Sequence, residues 1–264
     1  MPRSDVTGPV EPLRALLSHN LLLARRDAAP VVVMIVMPLV LMAFLQPALR
    51  LSLQAEGYAN VTGAEQAVPG MAVMFVLYMV GVVGFRIFEE HGWGTWDRLR
   101  ASPAGTPAIV AGKVAPSFLV LVVQLGSLFL AGSLFYRLRI TGSVLALIVV
   151  AVAFASVVLA LGVLLAALAR TAQQLNALAN VGATALAGIG GAIVPIGVLP
   201  EWAQAIAPSV PSYWAMRGFQ VVILDGGGMR DVLVSVAMLT AFATAFAMVA
   251  AKRFHMDEEK VSFA

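Results

Sequence analysis

The chain has 264 residues, 60% of them hydrophobic and only 12% charged, and its mean hydropathy is +0.91. A soluble domain with so few charged side chains would have almost nothing to cover its surface, so a soluble globular fold is excluded. Cysteine is absent, which excludes disulfides, thiolate metal sites and a cysteine nucleophile.

Apolar stretches of about 20 residues, free of charge, recur along the chain, and a helix of that length matches a hydrocarbon core of about 30 Å. Ahead of the first, Leu13 to Arg26 reads as an amphipathic helix lying on the membrane. Arg14, Ser18 and Arg25 fall on one side of it, and Leu13, Leu17, Leu21 and Ala24 on another. A frayed extension of the first span is the other reading.

The spans are expected at Ala28–Leu45, Ala67–Phe85, from just after Lys113 to near Tyr136, Ser143–Ala169, Leu175–Val198 and Val232–Ala251, each bounded by charge or turn residues. The expected fold class is therefore an all-α membrane protein with six transmembrane helices. It forms a single domain: a cytoplasmic tail and interfacial helix over 1–27, the bundle over 28–251, and a second tail over 252–264. The first apolar run begins only near residue 28 and is long enough to span, so no cleaved signal peptide is expected.

Orientation follows from the basic residues. With the N-terminus in the cytoplasm, that side carries 12 of the 17 Lys and Arg residues, and the opposite side carries Arg50, Arg137, Arg139, Arg217 and Arg230. That is the bias of the positive-inside rule, and it puts both termini in the cytoplasm. The pI near 9.6 then reflects orientation and anionic lipid contact, with no nucleic-acid partner implied.

The loop after the second span is the chemically richest segment. Glu89 and Glu90 stand where the span leaves the bilayer, Gly92 and Gly94 permit a turn, and Thr95 can cap a short helix through Arg100 that Pro103 closes. Trp93 and Trp96 suit the headgroup level, while Asp97, Arg98 and Arg100 can face water or a protein. A docking element and an ordinary boundary anchor both fit this composition.

The run Glu90-x-x-x-Gly94-Thr95-x-x-x-Leu99-x-x-Ser102-Pro103, with Gly112-Lys113 before the third span, resembles the first cytoplasmic loop of ABC-2 type permeases. These are the membrane subunits of ATP-binding-cassette exporters. Gly190-Gly191-Ala192-Ile193-Val194-Pro195, then Pro200-Glu201-Trp202 and Pro208-x-x-Pro211-x-Tyr213, is similar to that family's pair of short re-entrant helices before the last span. The chain departs from the pattern at Trp96-Asp97, where the family carries an aliphatic-acidic pair, which puts the docking surface in question.

The resemblance implies that Glu89, Glu90, Gly94, Thr95, Trp96, Asp97, Arg98 and Arg100 couple the permease to an ATPase, with Arg170, Gln173 and Gln174 as a second contact. It also implies an external gate built on Pro195, Pro200, Trp202, Pro208, Pro211 and Tyr213. Composition supports the gate independently, because residues 195–211 hold four prolines among apolar side chains and are too broken to span yet too apolar for a free loop. An interfacial loop anchored by Trp202 and Trp214 is the plainer alternative.

No Gly-x-x-x-x-Gly-Lys-Ser/Thr phosphate loop occurs; the glycine runs at Gly188–Gly191 and Gly226–Gly228 lack the lysine. The expected spans hold no acidic, basic or histidine side chain of the kind an ion-coupled carrier uses. His19, His91 and His255 lie far apart in sequence, so no metal is expected. By resemblance, ATP and Mg belong to a separate cytoplasmic ATPase subunit, and two permease subunits, identical or related, pair in the membrane.

Weakly polar residues remain within the spans. Asn176, Asn180 and Thr184 recur every four residues and so share a face, and Gln124 lies mid-span. A translocation surface and interhelical hydrogen bonding both account for them. The function implied is outward movement of an amphipathic drug, antibiotic or lipid-like substrate across a bacterial cytoplasmic membrane. Polysaccharide or lipid-linked product export is the alternative within the family, and a non-transporting scaffold or sensor the alternative outside it.

Overall fold

The computed structural model describes residues 29–92 and 106–253. The expected interfacial helix and loop residues 93–105, including the predicted coupling residues from Gly94 to Arg100, lie outside the described residues. All regular structure within them is helical: α1 (Ala29–Ala55), α2 (Ala64–Gly92), α3 (Thr106–Phe135), α4 (Val144–Leu168), α5 (Ala172–Ile189), α6 (Glu201–Ile206), α7 (Pro211–Ile223) and α8 (Leu233–Arg253). Single 3-10 turns at Ile196–Val198 and Ala207–Ser209 flank α6.

Among the described residues five helices, α1 to α4 and α8, are long and apolar enough to cross a membrane. Helix α5 has 18 residues, but Gln173, Gln174, Asn176 and Asn180 dilute its hydropathy, and it is not among the five.

Several helices overrun the expected spans, because a helix continues past the hydrocarbon while its backbone bonds are met. Helix α1 passes Leu45 and Arg50 to Ala55, with Pro38 and Pro47 inside it, since Leu49 and Leu53 are still buried. Helix α2 continues through Glu89 and Glu90 to Gly92, so Gly92 ends the helix where a turn was expected. Helix α3 begins at Thr106, ahead of Lys113. Helix α4 lies within one residue of expectation; Ser143 caps it by accepting from Ala146 N at 3.3 Å.

The expected fifth span is corrected at its outer end. Helix α5 stops at Ile189, and the apolar run onward to Val198 is not one helix. Gly191 takes a left-handed φ of 79°, Gly191 N donates to Gly188 O (3.3 Å), and Ala192 N donates to Ala187 O (2.9 Å). These bonds form a Schellman stop, and a left-handed position there favours glycine.

Helix α2 is the hub, packed against α1, α3, α4, α5 and α7. Its contacts are close because small residues meet there. A Cβ on Gly81 would stand 3.2 Å from Ala179 Cβ, and one on Gly84 would stand 3.0 Å from Gly162 O. At Gly70 a Cβ would collide with the Ala192 carbonyl oxygen, so the turn after α5 sits directly on the second turn of α2.

Candidate functional site

Helices α2 and α5 leave a groove between them of about 420 Å³, lined by Tyr78, Val82, Phe85 and Arg86 on one wall and Asn176 and Asn180 on the other. The floor is made by Gly81, Leu175 and Ala179, where the helices touch. Alternate turns of α5 thus serve two purposes. Leu175, Ala179, Ala183 and Ala187 are buried, which leaves Asn176, Asn180 and Thr184 exposed on a neighbouring face.

That polar face is internally bonded. Asn180 Nδ2 donates to Asn176 O (2.9 Å) and to Asn176 Oδ1 (2.7 Å), and Thr184 Oγ1 donates to Asn180 O (2.9 Å). The Thr184 proton is committed there, so the 3.0 Å contact between the hydroxyls of Thr184 and Tyr78 is read as Tyr78 donating. The ladder presents amide and hydroxyl groups beside Val82 and Phe85, a mixed surface suited to an amphipathic molecule. Three of its residues were singled out by their spacing. Tyr78 was missed, because one tyrosine in the uniformly apolar sequence of α2 carries no periodic signal.

Gln124 is elsewhere, on α3. It is 6% exposed, and neither its side-chain nitrogen nor its oxygen has a hydrogen-bond partner among the described residues. A buried polar group left so costs about 1–3 kcal/mol. Gln124→Leu is therefore expected to raise the melting midpoint of the purified chain, and an unchanged or lower midpoint would show that the amide is satisfied in the working protein.

Of the second coupling set, Arg170 and Gln173 are exposed, and Gln174 has a local task. Its backbone N donates to Thr171 Oγ1 (3.1 Å) while its side-chain oxygen accepts from Arg170 N (2.9 Å). This reciprocal cap starts α5 and accounts for Thr171 and Gln174 without a partner protein. The side chains of Glu89 and Glu90 lie outside the described residues.

The predicted gate residues divide by burial. Pro195 and Pro211 are buried and Tyr213 is half-buried, whereas Pro200, Trp202 and Pro208 are exposed. The segment is tied to the bundle at several points. Ser212 Oγ donates to Leu186 O, and Trp214 Nε1 to Pro208 O at 2.9 Å. Gln66, fully buried, donates to Gly191 O (2.8 Å) and accepts from Gln220 Nε2 (2.7 Å), joining α2, the α5 turn and α7. Tyr58 donates to Asp225 (3.2 Å), and Glu56 accepts from the Gly197 backbone. Burial raises the Glu56 pKa, and the Gly197 bond partly opposes it. The Gln66–Gln220 pair, 154 residues apart, was not foreseen. Its signal was a lone glutamine just inside an apolar run.

Among the described residues no group of three His, Asp or Glu stands ready to hold a metal. Long apolar helices, a polar-faced α5 and a latched segment of short helices define a multi-pass helical membrane protein. The ABC-2 type transporter family matches residues 11–224, and the chain belongs to that family. It is 32% identical over 194 residues to the linearmycin resistance permease protein LnrN of Bacillus subtilis (strain 168), an alignment covering 73% of this chain and 50% of the relative. The chain thus spans about half the length of that relative. No solved structure matches it.

Proposed function

We propose that the chain is the permease subunit of an ATP-driven exporter in a bacterial cytoplasmic membrane, moving an amphipathic drug, antibiotic or lipid-like molecule outward. A separate cytoplasmic ATPase supplies ATP and Mg chemistry, and a second permease subunit completes the path. The carrying observation is the Asn176–Asn180–Thr184–Tyr78 ladder beside Val82 and Phe85: exposed amides on a membrane helix need water, substrate or a partner helix in place of lipid. Family membership and the resistance function in the relative's name support the reading. In it, α5 is the fifth of six spans, both termini are cytoplasmic, and residues 195–213 form the re-entrant outer gate.

The test is reconstitution with a candidate cytoplasmic ATPase subunit that co-purifies with the chain. ATP-dependent accumulation in inside-out vesicles, surviving collapse of the proton gradient, is expected. Asn180→Leu and Tyr78→Phe should each cut transport at least several-fold with the complex intact. Transport that follows the proton gradient, or an intact complex that no substrate stimulates, would overturn the proposal in favour of a carrier or a scaffold.

A further inference from the structure

At the opposite end of the bundle from the predicted coupling loop, a second cavity of about 460 Å³ opens beside the last turns of α1. It is lined by Gln46, Pro47, Arg50, Leu51 and Gln54 of α1 and by Thr62, two residues ahead of α2. Arg50 is exposed and has no carboxylate partner among the described residues. The nearby acidic groups are engaged elsewhere. Glu65 accepts from Thr62 N (3.0 Å), Gly63 N (2.9 Å) and Thr62 Oγ1, and Glu56 faces Gly197. Among the described residues the Gln54 side chain makes no hydrogen bond; only its backbone carbonyl is used, accepting from Gly57 N (3.1 Å).

A second cation stands alongside. Tyr136 ties the end of α3 to α1, its hydroxyl donating to Leu39 O (2.6 Å) and its carbonyl accepting from Gln46 Nε2 (3.5 Å). The next residue, Arg137, is exposed and holds a left-handed φ of 57°, where an arginine is disfavoured relative to glycine. Below the cavity the character changes. Leu51, Phe44, Val40 and Met37 are 69%, 77%, 42% and 48% exposed and, at spacings of seven, four and three, form one stripe down α1. At 1.5 Å per residue it runs roughly 20 Å, more than the half-thickness of a hydrocarbon core at about 15 Å.

We infer that this is a binding site for an anionic phospholipid, its phosphate held by Arg50 and Gln54 with Arg137 adjacent, and one acyl chain lying along the Leu51–Met37 stripe. Unpaired guanidinium and amide donors set directly above an apolar track match a phosphodiester joined to a hydrocarbon chain. A second copy of this chain would have to offer an acidic patch over a bare apolar strip. Assignment to the outer leaflet rests on the orientation proposed above; the site itself does not.

The test titrates the detergent-purified 264-residue chain with dioleoyl phosphatidylglycerol, dioleoyl phosphatidylcholine or inorganic phosphate, and follows thermal protection and retained lipid. Phosphatidylglycerol should protect the wild type and Arg50→Lys, with affinity falling about fivefold or more in Arg50→Gln. Arg230→Gln should behave as wild type. Equal protection by phosphatidylcholine, full protection by phosphate alone, or undiminished phosphatidylglycerol binding in Arg50→Gln would overturn the site. So would a change of oligomeric state in that variant with lipid retention unaltered. Failure here would leave export untouched, since that reading is tested by the ATP requirement.

Discussion

Gly70→Ala is expected to lower the stability of the chain by about 3 kcal/mol or more and to abolish transport. One methyl group is a small insertion, and overpacking usually costs about 1–3 kcal/mol because side chains can shift. Here the methyl would meet the Ala192 carbonyl, a backbone atom in the turn that ends α5, and that turn is itself held by Gln66 and by the Schellman bonds. Relief requires α2 and the turn to part, which breaks several contacts together. Gly126→Ala is the control: nothing lies within 4 Å of its Cβ position, and it sits within α3, so alanine should be neutral or slightly stabilising there. Melting of detergent-purified variants checks both. A Gly70→Ala midpoint equal to wild type would mean that α2 and the turn are not in contact.

The second large effect concerns coupling, and it rests on the family. Glu90→Ala, or Asp97 and Arg98 both changed to Ala, is expected to leave expression and insertion near normal while weakening ATPase association by about 2–5 kcal/mol. That is the usual cost of stranding one side of a buried charge pair at an interface. Neutralising Arg137 and Arg139 at the opposite end of the bundle should leave coupling intact. Co-purification of the ATPase and substrate-stimulated hydrolysis provide the readouts, and identical behaviour of the two sets of variants would remove the docking role.

Where the chain's local chemistry agreed with its hydropathy, structure was legible from sequence. Helix α4 is the clearest case: an unbroken apolar run stands between a serine cap and Arg170, and burial, capping and charge all point to the same ends. Hydropathy misleads where it outlasts the helix. Ile193, Val194, Ile196 and Val198 continue the apolar character of α5, but the left-handed turn at Gly191 has already redirected the chain. Hydropathy also misleads where a helix outlasts it, as in α1 beyond Arg50, because backbone bonding is indifferent to whether the surroundings are lipid or water. On α5 the spacing of Asn176, Asn180 and Thr184 revealed a shared face. The opposing wall came from α2, and nothing in the local pattern of Tyr78 or Gln66 states which distant residue it will meet.

The polarity of α5 also bears on how the protein is made. A segment enters the bilayer from the translocation machinery when its summed transfer free energy is favourable, and five of the helices meet that condition by composition. Helix α5, with two glutamines and two asparagines in 18 residues, has a much weaker claim. As the span proposed above, it would depend on partners already present: the glycine face of α2, against which Ala179 and Leu175 pack, and the Tyr78 hydroxyl, which donates to Thr184. Biogenesis then acquires an order, in which α2 must be seated before α5 can be retained. A lesion in α2 would surface first as a chain whose later segments are threaded the wrong way, and be degraded by quality-control proteases before any transport defect could be measured.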